Sequence, residues 1–459
     1  MTETIKPATL FARNAWLDDG WHQNVRLHWN NDGNLTRIHT GATMSKGDQV
    51  EQFVLPGMVN LHSHAFQRAM AGMTEVAGEG PDSFWTWRGL MYRFALAINP
   101  DQLQAIAAQL YSECLRHGYT SVCEFHYLHR APNGEFYANM AETALQVMAA
   151  AQETGIGITM LPVLYSYADF DVQPLSYDQR RFATRPEQLL KLVGLLDKSR
   201  NGQTEIGAAP HSLRAVTTRQ IRELVGALPP DRPIHIHIAE QQKEVDSCLA
   251  FSGRRPVELL FDTEDINTRW CLVHATHLTD HEVTLIAQSK SVAGICTSTE
   301  GNLGDGFFPL PDFIRQHGRF GIGSDSHVSQ SPVEELRWLE YGQRLRAQQR
   351  NVSSVPEQRR IGDFLWKASL QGGAQASGRK VGKLAVGYRA DLLVLNADHP
   401  NLSGISSTEL INNWLFSGND NLVRDVLVGG KWQVKEGRHL HQADIEQRFK
   451  KAMGELRAL

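Results

Sequence analysis

Val54-Leu-Pro-Gly-Met-Val-Asn-Leu-His62-Ser-His64 is an apolar, strand-like run that ends in two histidines one residue apart. Residues i and i+2 of a strand face the same way, so this spacing aims two imidazoles from one strand end at a single point. Neutral imidazole is the commonest side-chain ligand for a metal ion. An isolated pair of this kind is more often two ordinary histidines near a turn, so the reading turns on what lies downstream.

Three further apolar runs end in chemistry of a matching kind. Arg232-Pro-Ile-His-Ile-His237 is followed three residues later by Glu240. Thr268-Arg-Trp-Cys-Leu-Val-His274 ends in a histidine, and Arg319-Phe-Gly-Ile-Gly-Ser-Asp325 in an aspartate. Four strand ends spread over more than 260 residues thus each carry a ligand or an acid/base group. That pattern predicts a barrel whose functional side chains converge from several strand ends onto one face.

Eight β-type runs lie between residues 54 and 385, at 54–64, 119–127, 155–167, 205–213, 233–240, 270–274, 291–298 and 320–325. Helical patterns at 101–117, 135–154, 186–199, 217–228, 280–288 and 332–350 alternate with them. Such alternation implies a parallel sheet, and eight units over this length fit a (β/α)8 TIM barrel spanning residues 54–385. An open doubly wound sheet would usually place a glycine-rich phosphate turn after its first strand, where this chain has His-Ser-His. The flanks alternate like short antiparallel strands, for example Val25-Arg-Leu-His-Trp and Val423-Arg-Asp-Val-Leu-Val-Gly-Gly-Lys-Trp-Gln-Val. Neither flank buries enough apolar surface to fold alone. Residues 1–53 and 386–459 are therefore expected to combine into one small β-sandwich domain, with a C-terminal amphipathic helix from Ala443.

The chain has 459 residues, of which 42% are hydrophobic and 21% charged, the profile of an ordinary soluble globular protein. A net charge of −4 without a Lys/Arg run argues against a nucleic-acid surface. No apolar run approaches the roughly 18 residues of a membrane helix. Met1-Thr-Glu-Thr-Ile-Lys lacks the basic and apolar regions of a signal peptide. Five cysteines with no CxxC spacing read as reduced thiols, so a cytoplasmic location is expected.

The order PG-x-x-N-x-H-x-H, H-x-A-E, V-H-x-x-H-L and G-S-D resembles the amidohydrolase superfamily, in its deaminase and chlorohydrolase branch. Lys383-Leu-Ala-Val-Gly-Tyr-Arg-Ala-Asp-Leu-Leu-Val-Leu is similar to that branch's return into its terminal β-domain. Leu61–Glu75, Phe84-Trp-Thr-Trp-Arg88 and Ala209-Pro-His211-Ser-Leu-Arg214 carry a closer resemblance, to the formimidoylglutamate deiminases. The resemblance implies hydrolysis of N-formimino-L-glutamate to N-formyl-L-glutamate and ammonia in histidine degradation. The alternative is a deaminase of the same branch acting on guanine or a related aminated ring.

The resemblance also implies roles. His62, His64, His237 and Asp325 would hold one Zn2+ per subunit, with iron or manganese as other possible ions. Strand four ends Gly207-Ala-Ala-Pro-His211 and offers no lysine to bridge a second ion. Zinc lowers the pKa of water to about 7. Asp325 would take the water's proton, His274 would orient the water, and Glu240 would carry a proton to the departing nitrogen. His277 competes with His274 on sequence, and the resemblance favours His274. A substrate with two carboxylates calls for arginine forks, and Arg88 and Arg214 are the candidates. Arg88 is placed in a long loop after the first strand and lies among Phe84, Trp85 and Trp87, so an aromatic-stacked structural arginine is its alternative. Gln67, Tyr127 and His211 are further substrate-contact candidates, the last two close to even with core roles. His126 and His129 match no motif. The partners implied are a small-molecule substrate and a second copy of the chain in a homodimer.

Overall fold

The run from Val54 to His64 is two strands, not the single one expected. In the computed structural model, which describes residues 8–77 and 84–458, β4 (Val50–Pro56) belongs to a terminal sheet and β5 (Met58–Ser63) to the barrel. Gly57 divides them because a Cβ there would come within 2.2 Å of the Thr120 side chain. Its N–H donates to Asp391 O (3.1 Å), and the Met58 N–H donates to Gly118 O (3.1 Å), so the chain changes sheets in one step. The signal-peptide reading falls on residues outside the described ones.

Eight strand positions follow in parallel: β5, β6 (Tyr119–His126), β7 (Gly157–Leu164), β8 with β9 (Thr204–Ile206, Ala209–Pro210), β10 (Ile234–Ile238), β11 (Trp270–His274), β12 (Val292–Ile295) and β13 (Arg319–Ile322). They pair in sequence order. The bridges Ala208–Ile234 and Ser63–Asp325 join the two parallel sheets at both edges, so the pairing returns to its start. β6, β7, β10 and β11 are buried at every position, as expected for strands covered on both faces. The expected fourth strand, 205–213, breaks at Gly207, where a Cβ would lie 2.4 Å from Pro233 O.

β1 (Ala8–Leu17), β2 (Gly20–Trp29), β3 (Leu35–His39) and β4 join β14 (Leu392–Leu395), β15 (Val423–Val428), β16 (Lys431–Lys435) and β17 (Arg438–His439). They form one continuous sheet in the order β17-β16-β15-β14-β4-β1-β2-β3. Strands from both chain ends therefore lie in one sheet. It is hydrogen-bonded as a single sheet that bends until Trp29 Nε1 donates to Gly430 O (3.1 Å). Leu10, Val25, Leu27, Val54, Leu392 and Leu427 pack together inside it. β4 runs across the boundary expected at residue 53.

Two helical segments differ from the sequence reading. The helix expected from Glu135 starts at Glu142, because Asn139 accepts from the Ala141 N–H (3.1 Å) and holds the preceding segment in a turn. The segment carrying Arg88 is a helix, Phe84–Ala97, rather than a loop. It buries Met91, Phe94 and Ala95, an i, i+3, i+4 face.

Candidate active site

The C-terminal ends of three strands supply a single cluster. His62 and His64 close β5, His237 lies in β10, and Asp325 follows β13. All four are buried. His62 Nε2 lies 3.2 Å from His64 Nε2 and 3.0 Å from His237 Nε2. Asp325 Oδ1 lies 3.4 Å from His62 Nε2 and 3.3 Å from His64 Nε2. Ligand atoms at zinc bonding distance in a tetrahedral site sit about 3.3–3.4 Å apart, so these four separations are of the size shown by neighbouring ligands of one ion, and His62, His64 and His237 form a group that could hold one.

The protonation states suit that role. Burial holds the pKa of His62 down at about 3 and lowers those of His64 and His237 as well, which keeps their lone pairs free. His64 Nδ1 faces Phe125 O at 2.9 Å; donation there leaves Nε2 as the free nitrogen. Burial opposes ionisation of Asp325, but the imidazoles around it outweigh burial and lower its pKa.

His274 and Asp325 both have left-handed backbones, with φ of 69° and 47°. Such conformations cost of order 1–3 kcal/mol at a non-glycine residue and persist where neighbours hold them. The Asp325 N–H donates to His62 O (3.0 Å), and the Ala275 N–H donates to Ile238 O (3.0 Å). His274 Nε2 consequently lies 3.8 Å from Asp325 Oδ2 and 3.9 Å from Glu240 Oε1. Burial works against charging His274, but the carboxylates of Glu240, Glu300 and Asp325 outweigh it and raise its pKa. Burial raises the pKa of Glu240. The Glu240 turn is pinned by Glu244, which accepts from the N–H groups of Ala239 (3.3 Å) and Glu240 (3.1 Å).

A cavity opens onto this cluster. Its lining includes His64, His237, Glu240, His274 and Asp325 together with Gln67, Arg88, Tyr127, His211 and Arg214. Every site residue expected from sequence thus lies in the cluster or along the cavity, and Arg88 reaches it from a helix. Gln67 Nε2 donates to Tyr127 OH (2.8 Å), leaving Gln67 Oε1 buried without a partner among the described residues. Arg214 is buried, and its Nε also lacks a partner among them. Arg88 and Arg214 both lie against Trp85, with Cζ 4.6 and 5.6 Å from the ring centre. The Arg88 stacking expected as the alternative is therefore real, and it coexists with a place in the cavity wall.

The amidohydrolase family profile matches residues 53–433. This chain belongs to the amidohydrolase family. A second profile, the N-terminal domain of the formimidoylglutamate deiminase HutF, matches residues 8–52. Over 450 residues this amidohydrolase is 52% identical to the formimidoylglutamate deiminase of Pseudomonas aeruginosa, covering 98% of this chain and 99% of that one. It is 26% identical to the 8-oxoguanine deaminase of the same organism, over 86% of this chain and 84% of that one. Among solved structures, an amidohydrolase from Brucella melitensis superposes with a TM-score of 0.92 at 42% identity, covering 98% of this chain and 99% of that one.

Sequence reasoning missed part of this amidohydrolase's site. Tyr92, Tyr165 and Phe182 line the cavity. Glu300 is buried behind His274, with Oε1 3.2 Å from Nδ1 and accepting from the Cys296 N–H (2.9 Å). Its only sequence signal is an acid shortly after the seventh barrel strand. The two unassigned histidines are structural: His126 Nε2 meets Thr143 Oγ1 (3.2 Å), and His129 Nε2 donates to Val163 O (2.9 Å). His277 does not line the cavity. All five cysteines are buried free thiols. No helix among the described residues is long and apolar enough to cross a membrane.

Proposed function

We propose that this protein hydrolyses N-formimino-L-glutamate to N-formyl-L-glutamate and ammonia. The observation that carries the reading is one cavity that holds the His/Asp cluster, two further acid/base groups and two arginines. The 52% identity to a formimidoylglutamate deiminase over nearly the whole chain supports the same substrate.

His62, His64, His237 and Asp325 would hold one Zn2+ per subunit, since three imidazole nitrogens and a carboxylate suit that ion; iron and manganese are alternatives. When bound, the ion supplies a Lewis acid that makes water nucleophilic near neutral pH. The remaining chemistry belongs to the side chains. Arg88 and Arg214 pair with the substrate carboxylates, and Gln67, Tyr127 and His211 complete the polar wall. His274 Nε2 orients the attacking water, and Asp325 Oδ2 takes its proton. A C–O bond forms at the carbon of the cationic formimino group, protonated Glu240 delivers its proton to the terminal nitrogen, and the C–N bond to that nitrogen breaks to release ammonia while Glu240 takes up the proton left on the new formyl oxygen. A ring deaminase would have no use for two arginines in this wall.

The catalytic unit in this reading is residues 54–385. The composite of residues 1–53 and 386–459 forms the accompanying β domain, and the enzyme works as a cytoplasmic homodimer. Ammonia release from formiminoglutamate, formiminoaspartate, guanine and an adenosine analogue tests the assignment. Turnover of formiminoglutamate is expected; turnover confined to the rings overturns the substrate while leaving the metal cluster standing.

A further inference from the structure

Beside the His/Asp cluster lies a second convergence of donors, brought together from two strand ends and the end of a helix. One ligand atom each from Glu240, His274 and Asp305 lie within 4.8 Å of one another. The three residues are 5%, 1% and 4% exposed. Asp305 is placed there by the end of the helix Thr297–Leu303: Gly304 turns the chain with φ 69°, and the Asp305 N–H returns to Glu300 O (2.9 Å). Asp305 Oδ1 accepts from Gln241 Nε2. Its Oδ2 is buried with no hydrogen-bond partner among the described residues.

Two carboxyl groups buried this close together cannot both stay ionised without compensation, and the fold offers either a shared proton or a bound cation. An imidazole nitrogen with two carboxylate oxygens is a donor set for zinc and similar transition ions. It has too few oxygens for calcium, and magnesium favours carboxylate and water over imidazole. Apart from His274 and Glu240, which touch or neighbour Asp325, the set is separate from the four donors of the first cluster.

We propose that Glu240, His274 and Asp305 form a second, weaker site for a divalent transition ion, whose occupation inhibits the enzyme. The ion ties up the two side chains that orient water and move the proton, so hydrolysis stops while the first site stays filled. Inhibition rests on the roles given to Glu240 and His274 above; binding does not.

The test adds Zn2+ to the holoenzyme carrying one equivalent of metal and reads bound metal after desalting alongside ammonia release. A second equivalent and a fall in turnover of about 100-fold or more are expected, the loss that follows from removing general acid–base catalysis. Asp305→Asn should leave turnover without added zinc unchanged and raise the half-inhibiting zinc concentration by about 10–100-fold. Titration with Co2+ gives a second readout, because the visible absorption of the second equivalent should be lost in the variant. Metal that stays at one equivalent, in wild type alone if the variant does not fold, means the acids share a proton and overturns the site. Equal inhibition of wild type and Asp305→Asn overturns it too. Asp305-dependent binding that leaves turnover untouched supports the site and instead overturns the roles given to Glu240 and His274.

Discussion

The Glu300 carboxylate and the His274 imidazole form a buried pair, Oε1 to Nδ1 at 3.2 Å, behind the face of His274 that meets Glu240 and Asp325. The same oxygen accepts from the Cys296 N–H, so the carboxylate is fixed from two directions. A histidine held through Nδ1 presents Nε2 to its work in a set orientation.

Glu300→Gln keeps an acceptor for both partners, whereas Glu300→Leu removes it. The leucine variant is expected to lose about 100-fold or more in kcat with little change in KM, and the glutamine variant to recover much of that loss. Steady-state kinetics with metal content measured in parallel decides it; equal loss in both variants, or loss of metal, would show Glu300 to be merely structural.

Arg214 is buried in the cavity wall, and its Nε has no hydrogen-bond partner among the described residues. Charge-assisted hydrogen bonds contribute about 1.5–3 kcal/mol. Arg214→Met should therefore raise KM for formiminoglutamate by about 10–100-fold with metal retained. Unchanged kinetics would remove Arg214 from the pocket.

Chelation should abolish ammonia release and lower the melting temperature, because an ion bound only by the folded chain stabilises it. Added Zn2+ should restore both. Full turnover by protein shown to be metal-free would dismiss the four-donor cluster as a catalytic centre.

Gly323 packs against His62: a Cβ there would lie 2.8 Å from the His62 Cβ and 2.9 Å from its backbone nitrogen. Gly323→Ala should displace the first ligand strand, costing about 1–3 kcal/mol of stability and weakening metal retention. Thermal melts and metal analysis read the two effects, and wild-type values for both would refute the contact.

His129 is buried, and burial lowers its pKa to about 4. Above pH 6.5 it is neutral whether folded or not and adds no pH dependence. Between pH 6.5 and 4 the unfolded chain binds a proton that the folded chain refuses, so stability falls with pH. The loss from this residue is about 2 kcal/mol at pH 5. In metal-free protein, His129→Gln should flatten the fall in denaturation midpoint between pH 7.5 and 5; an unaltered slope would exclude His129 as a source.

The His/Asp cluster was legible because its information is local. His62 and His64 share a face by strand periodicity, and His237, His274 and Asp325 each mark the end of a run whose apolar pattern names it a strand. The helix Phe84–Ala97 was not legible as such, since its buried Met91, Phe94 and Ala95 are masked by an aromatic-rich sequence that also suits a loop. The break at Gly57 was hidden for a different reason: apolar residues continue on both sides, and only the approach of Thr120 requires the glycine.

The amino-acid order by itself determined the alternation of strands and helices and the strand ends whose histidines and aspartate meet in one cluster. Tertiary structure alone decided that Glu300 and Asp305 also stand beside His274. Glu300 lies in the helix that follows a neighbouring strand and Asp305 just past its end, and no spacing rule links them to residue 274. Their partnership exists because parallel strands closing into a ring set distant chain segments a few ångströms apart in a medium where unpaired charge is costly.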